Sequence, residues 1–148
     1  MENQAVAEKF QCIVTGVDTS ENAQKAFKYA VNFAYREGAK LIICSILEID
    51  QFSVYEVMDE QFMAEKRKEL LLQLEEYREY AQAHGVKDLE LMTGEGDPAE
   101  LIVKDILPQT NADLLVIGSR ATHGIKGYFG TSASYMVKHS PISVTVIK

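Results

Sequence analysis

The residues best suited to chemistry in this chain of 148 residues lie where an apolar run, Leu114 to Ile117, opens into Gly118-Ser119-Arg120-Ala121-Thr122-His123-Gly124-Ile125-Lys126-Gly127-Tyr128-Phe129-Gly130-Thr131-Ser132. Glycine lets a backbone approach a ligand closely or take up a positive φ. Gly130, Thr131, Ser132 and Ser134 fall where the next helix should begin, and exposed N–H groups at a helix start suit an anion, usually a phosphate. Arg120 and Lys126 bring positive charge to a chain whose formal net charge is -7, and His123 lies in the same loop, where it could reach a phosphate. The chemistry these types point to is phosphate binding, hence a nucleotide. The alternative is a surface loop whose glycines serve only as turn residues. Neither G-x-x-x-x-G-K-[ST] nor G-x-G-x-x-G is present, so this is not a P-loop and not a dinucleotide fingerprint.

Asp18 is the second candidate. It ends an apolar run, so its carboxylate could accept from an adenine amino group or a ribose hydroxyl, or hold a metal; it could equally cap the helix that follows. The other titratable groups offer less. His84 and His139 sit at helix ends, where the dipole favours them, and no histidine spacing matches a metal site. No G-x-S-x-G elbow occurs. Cys12 and Cys44, each inside an apolar run and far from C-x-x-C spacing, read as small buried residues of a reducing compartment. The mixed charges of Glu65 to Glu69 and Glu75 to Glu79 read as a solvated helix face.

The elements that must position these groups alternate. Strands are expected at Gln11 to Val17, Leu41 to Leu47, Leu89 to Thr93, Leu114 to Ile117 and Ile142 to Ile147. Helices are expected from Asn22 to Glu37, stopped by Gly38, and from Gln61 to Ala83, with Met63, Leu70, Leu74, Tyr77 and Ala81 on one stripe. A third helix should run from Pro98 to Leu107 behind an Asp97 cap, and a fourth from Thr131 to His139. Residues 48 to 60 read as a mobile or partly helical connection. This order predicts one α/β domain over residues 1–148, a three-layer open sheet of five parallel strands with four helices, its first ten residues flexible. In such a sheet ligands bind at the carboxyl ends of the strands, where the Gly118 loop and Asp18 both lie.

Bulk composition narrows the function. Charged residues make up 25% and apolar ones 47%, as in an ordinary globular protein. The acidic balance argues against a nucleic-acid surface, and no run is long enough to span a bilayer. With no leader-like segment at Met1 to Lys9, the expected location is the cytoplasm. The last strand alternates Ile142, Val144 and Val146 with Ser143 and Thr145; at a sheet edge it would suit pairing with a second copy.

From Cys12 to Lys148 the chain resembles the universal stress protein family. The matches are Gly16-Val17-Asp18-Thr19-Ser20, the Gly94 to Pro98 turn, Ala112 to Arg120, and Gly130-Thr131-Ser132-Ala133-Ser134-Tyr135 running on to Val146. Members that bind ATP carry Gly, two residues, Gly, nine residues, then Gly and Ser or Thr. Here Gly118 and Gly130-Thr131 match the ends, Ala121 replaces the middle glycine, and eight residues rather than nine precede Gly130. The resemblance implies a cytoplasmic, homodimeric stress-response protein that binds ATP, or a related adenine nucleotide, as a sensor or switch. It places Gly16, Val17 and Asp18 near adenine and ribose, with Ile46 flanking the base and Ile117 and Gly118 under the ribose. Arg120, Ala121, Gly130, Thr131, Ser132 and Ala133 would lie along the phosphates, which could carry Mg²⁺. It also implies a dimer through Ile142 to Ile147. Two alternatives stand beside this: a nucleotide-free interaction module, and a slow ATPase or self-phosphorylating enzyme.

Overall fold

The computed structural model describes residues 9–119 and 130–148. Five runs rich in β-branched and aliphatic residues form strands: β1 (Cys12–Gly16), β2 (Lys40–Leu47), β3 (Leu89–Glu95), β4 (Leu114–Gly118) and β5 (Ser143–Ile147). They pair in parallel in the order β3-β2-β1-β4-β5. The chain thus winds outward from β1 through β2 to β3, then returns to lay β4 and β5 on the other side. The reversal opens a crevice between β1 and β4 at the carboxyl edge.

The near-continuous apolar sequence of the central strands follows from helices covering both faces. Ile13, Leu41, Ile43, Leu114 and Val116 point to one face, where α1 (Glu21–Glu37) and α3 (Glu60–Ala83) supply Phe27, Ala30, Ala34, Leu74 and Ala81. Val14, Ile42, Cys44, Leu115 and Ile117 point to the other, against α4 (Pro98–Leu101) with its continuation and α5 (Thr131–His139). Each fully buried side chain of Leu or Ile size contributes about 1.5–3 kcal/mol, which is why a period-two pattern on both faces fixes the register. The α3 stripe is as the spacing predicts: Met63, Leu74 and Ala81 are buried, with Leu70 and Tyr77 packed partly behind them.

Helix starts and stops are local. Ser20 caps α1 by accepting from the Ala23 N–H at 3.2 Å, and Gly38, at φ 64°, ends it by donating back to the Ala34 and Tyr35 carbonyls. Asp97 caps α4 with Pro98 at its first position. The segment expected as one helix to Leu107 is α-helical only over Pro98–Leu101, then widens to a π turn at Ile102–Ile106 and tightens to a 3-10 turn at Leu107–Gln109. Pro108 explains the change: its ring would clash with the carbonyl four residues back, and a wider turn relieves that contact. Residues 48 to 60 hold a 3-10 turn (Ile49–Gln51) and a short helix α2 (Val54–Met58), which adds a fifth α-helix to the four expected.

Candidate functional site

The crevice between β1 and β4 is a cleft of about 570 Å³, counting its open mouth. Gly16, Val17 and Asp18 leave β1 along one side; Cys44, Ile46 and Glu48 leave β2 beside them. Ile117 and Gly118 form the end of β4, Pro98 and Ile102 come from the α4 segment, Ser132 and Met136 from α5, and Ala23 from α1. The floor is apolar (Val17, Ile46, Ile102, Ile117, Met136), with two carboxylates and one hydroxyl at its margin. A flat, largely apolar ring with polar edges fits this combination.

Asp18 is held from three sides. Its Oδ1 accepts from the Ser20 N–H at 2.7 Å. Its carbonyl accepts from Gln24 Nε2 of α1 at 2.8 Å and, at 3.5 Å, from the Tyr77 hydroxyl of α3. The cap of α1 is Ser20, so of the two roles open to Asp18 in the sequence the capping one belongs to its neighbour. The carboxylate stands at the rim on a backbone fixed by both helices of that face.

Gly118 has a different reason from the one its loop suggests. A Cβ there would stand 2.5 Å from Asn22 C, Asn22 O and Ala23 N, so the glycine admits the start of α1 rather than only a ligand. Asn22 Nδ2 donates to the Ser119 carbonyl, locking the same junction. Ser119, buried, accepts the Gly130 N–H at its Oγ (3.4 Å), which ties the carboxyl end of β4 to the residue that precedes the next helix. Gly130 then precedes α5 as its N-cap with no side-chain capping bond. The Gly130 N–H is therefore directed inward to Ser119, and the donors at the α5 start are those of Thr131, Ser132 and Ala133.

Of the twelve positions singled out in the sequence, Gly16, Val17, Asp18, Ile46, Ile117, Gly118 and Ser132 line the cleft. Gly130, Thr131 and Ala133 lie next to it along the α5 start without lining it, and Ala133 is buried in the core. Arg120 and Ala121 lie outside the described residues, as do His123 and Lys126. The lining residues not foreseen are Ala23, Cys44, Glu48, Pro98, Ile102 and Met136. Glu48 had a signal, since it follows β2 at the same edge as Asp18; Ile102 and Met136 were one helical turn beyond Pro98 and Ser132, visible only once those helices were placed. Among the described lining residues the charged ones are Asp18 and Glu48, both acidic.

Full burial pushes the Cys44 thiol up to about 12, which disfavours the thiolate that a nucleophile needs. Burial also raises the Cys12 thiol. Among the described residues no group of three His, Cys, Asp or Glu side chains could hold a metal ion, and no helix is long and apolar enough to cross a membrane.

The universal stress protein family model matches residues 9–148. A protein of Staphylococcus aureus strain USA300 that carries the universal stress protein name is 35% identical over 141 residues, covering 94% of this chain and 84% of its own. Among solved structures, universal stress protein UspA from Lactobacillus plantarum is similar at a TM-score of 0.81 and 25% identity, over 96% of this chain and 100% of that one. A universal stress protein in complex with cAMP (TM-score 0.72, 24% identity, 95% of this chain and 98% of that) shares the fold. So does the Archaeoglobus fulgidus protein in complex with dAMP (TM-score 0.66, 19% identity, 95% and 100%).

Proposed function

The chain belongs to the universal stress protein family, and on that premise we propose that it binds an adenine nucleotide, ATP in the first place, in the cleft between β1 and β4. The observation that carries the proposal is the conjunction at one edge of an apolar slot, the Asp18 carboxylate and the side-chain-uncapped start of α5. The slot suits adenine, Asp18 suits donors of base or ribose, and the α5 N–H groups suit phosphate. Any Mg²⁺ would be carried by the phosphates. The cAMP and dAMP named with the two related structures are consistent with this choice of base. The role proposed is a sensor or switch in the cytoplasm, occupied according to nucleotide level and working as a homodimer through β5, which the sheet order leaves outermost.

Titration calorimetry of the purified protein with ATP, AMP and cAMP tests the reading. Saturable binding at or below millimolar nucleotide is expected, and its absence for all three would sink the proposal. Asp18→Asn keeps an acceptor for the Ser20 N–H but removes the charge, so affinity should fall at least about tenfold, the size of one charge-assisted hydrogen bond. ATP binding more tightly than AMP would mean that the loop cations engage the outer phosphates. Equal affinities would leave the nucleoside as the recognised part and overturn the choice of ATP. Sedimentation of Val144→Lys against the unaltered protein tests the dimer: a monomer is expected from the variant, and a monomeric unaltered protein would refute it.

A further inference from the structure

The short helix α2 is placed in an unusual way for its composition. None of its residues is buried, yet Val54 (71% exposed), Tyr55 (86%) and Met58 (76%) are the three most exposed large apolar side chains among the described residues. At spacings of three and four they share one helical face. The helix is held in shape from outside that face. Ser53 and Glu56 form a complete capping box, with the Ser53 hydroxyl accepting from the Glu56 N–H at 3.2 Å and the Glu56 carboxylate from the Ser53 N–H at 2.9 Å. On one side Phe52 meets Phe62 of α3 edge to face at 5.4 Å. On the other Asp59 ends α2 and caps α3. An apolar stripe held rigid and turned outward costs little to bring against a partner, because its backbone is already ordered.

Charge identifies the partner's chemistry. Residues 41–65 contain Glu48, Asp50, Glu56, Asp59, Glu60 and Glu65 and no Lys, Arg or His. Of the next three cations along the chain, Lys66 is paired with Glu69 at 3.4 Å and Arg67 with Glu95 at 2.7 Å, leaving Lys68. A second copy would bring two acidic rims together, and an anionic membrane would be repelled in the same way. We propose that the Val54–Tyr55–Met58 face docks a segment of another protein that presents an apolar stripe flanked by Lys and Arg. Tyr55, the largest and most exposed of the three, is the anchor.

A synthetic amphipathic helix of Leu and Lys is the probe, with its Leu/Glu counterpart as control. Amide shift mapping on the intact protein should localise the Leu/Lys peptide to residues 50–62. The Tyr55→Ser/Met58→Ser double variant should bind it at least tenfold more weakly, with its urea midpoint and nucleotide affinity unchanged, because neither side chain is buried or lines the cleft. Should that variant fold poorly, Val54→Ser offers the same comparison. Equal binding by the variant, equal binding of the Leu/Glu peptide, or shifts centred elsewhere would overturn the proposal. So would a dimer in sedimentation that the double variant dissociates, which would make a second copy the occupant. Since the cleft takes no part in this experiment, loss of nucleotide binding and loss of docking are separate results.

Discussion

Gly118→Ala separates two reasons for a glycine at the carboxyl end of β4. If the residue is there for a ligand, a methyl group should weaken nucleotide binding and leave the unliganded protein as stable as before, or more so, since Ala restricts the unfolded chain. The geometry indicates otherwise. The added Cβ would meet three backbone atoms of Asn22 and Ala23 at 2.5 Å, about 0.9 Å inside an ordinary 3.4 Å contact. These atoms open α1, whose first turn is capped by Ser20 and clasped to β4 by Asn22 and Ser119, so they cannot rotate away as a side chain could. Overpacking of this kind costs typically 1–3 kcal/mol. With backbone on the receiving side the upper end applies, about 3 kcal/mol. For a domain of this size that corresponds to about 6–12 °C in Tm, or a fall of about 1–3 M in the urea midpoint. The assay is urea unfolding of nucleotide-free protein, with Gly16→Ala as the internal comparison. There the nearest atom, at 3.1 Å, is the movable end of Ile102, and the cost should stay below about 1 kcal/mol. A Gly118→Ala protein with an unchanged midpoint, whatever its nucleotide affinity, would refute the packing argument.

Three further outcomes are expected. Ser119→Ala leaves the buried Gly130 N–H without its acceptor; at 3.4 Å the lost bond is weak, so about 1 kcal/mol should go, together with faster amide exchange in the first turn of α5. Glu95 is held below the usual carboxylate range by the hydrogen bond and charge of Arg67. A depressed folded pKa stabilises above the unfolded value of about 4.3 and is lost as pH falls through the folded one. The midpoint gap between unaltered and Glu95→Gln protein should therefore be small but measurable at pH 7, shrink in high salt because the pair is exposed, and close as the pH falls through the depressed folded pKa. Both cysteines should resist an aromatic disulfide reagent at pH 8 in the native protein and react in denaturant; fast labelling of native Cys44 would contradict its burial and its thiol raised to about 12.

The sequence by itself determined the element order, the two-faced burial of β1, β2 and β4, and the start at Asp97, because these depend on side-chain period and on caps acting within a few residues. It also placed Asp18, Ile117 and Ser132 at one edge, since parallel strands joined by helices all deliver their carboxyl ends to the same side. Composition gave only an irregular connection at residues 48 to 60, whereas the capping box and the Phe52–Phe62 contact order α2 there without burying any of its residues. Tertiary structure alone decided what Gly118 faces, because the start of α1 is nearly a hundred residues away along the chain and meets β4 only after the sheet reverses at β1. It decided, for the same reason, that Ile102 and Met136 share a wall with Asp18. Local rules write each element, but a cleft is made by the far ends of elements that the sheet order brings together.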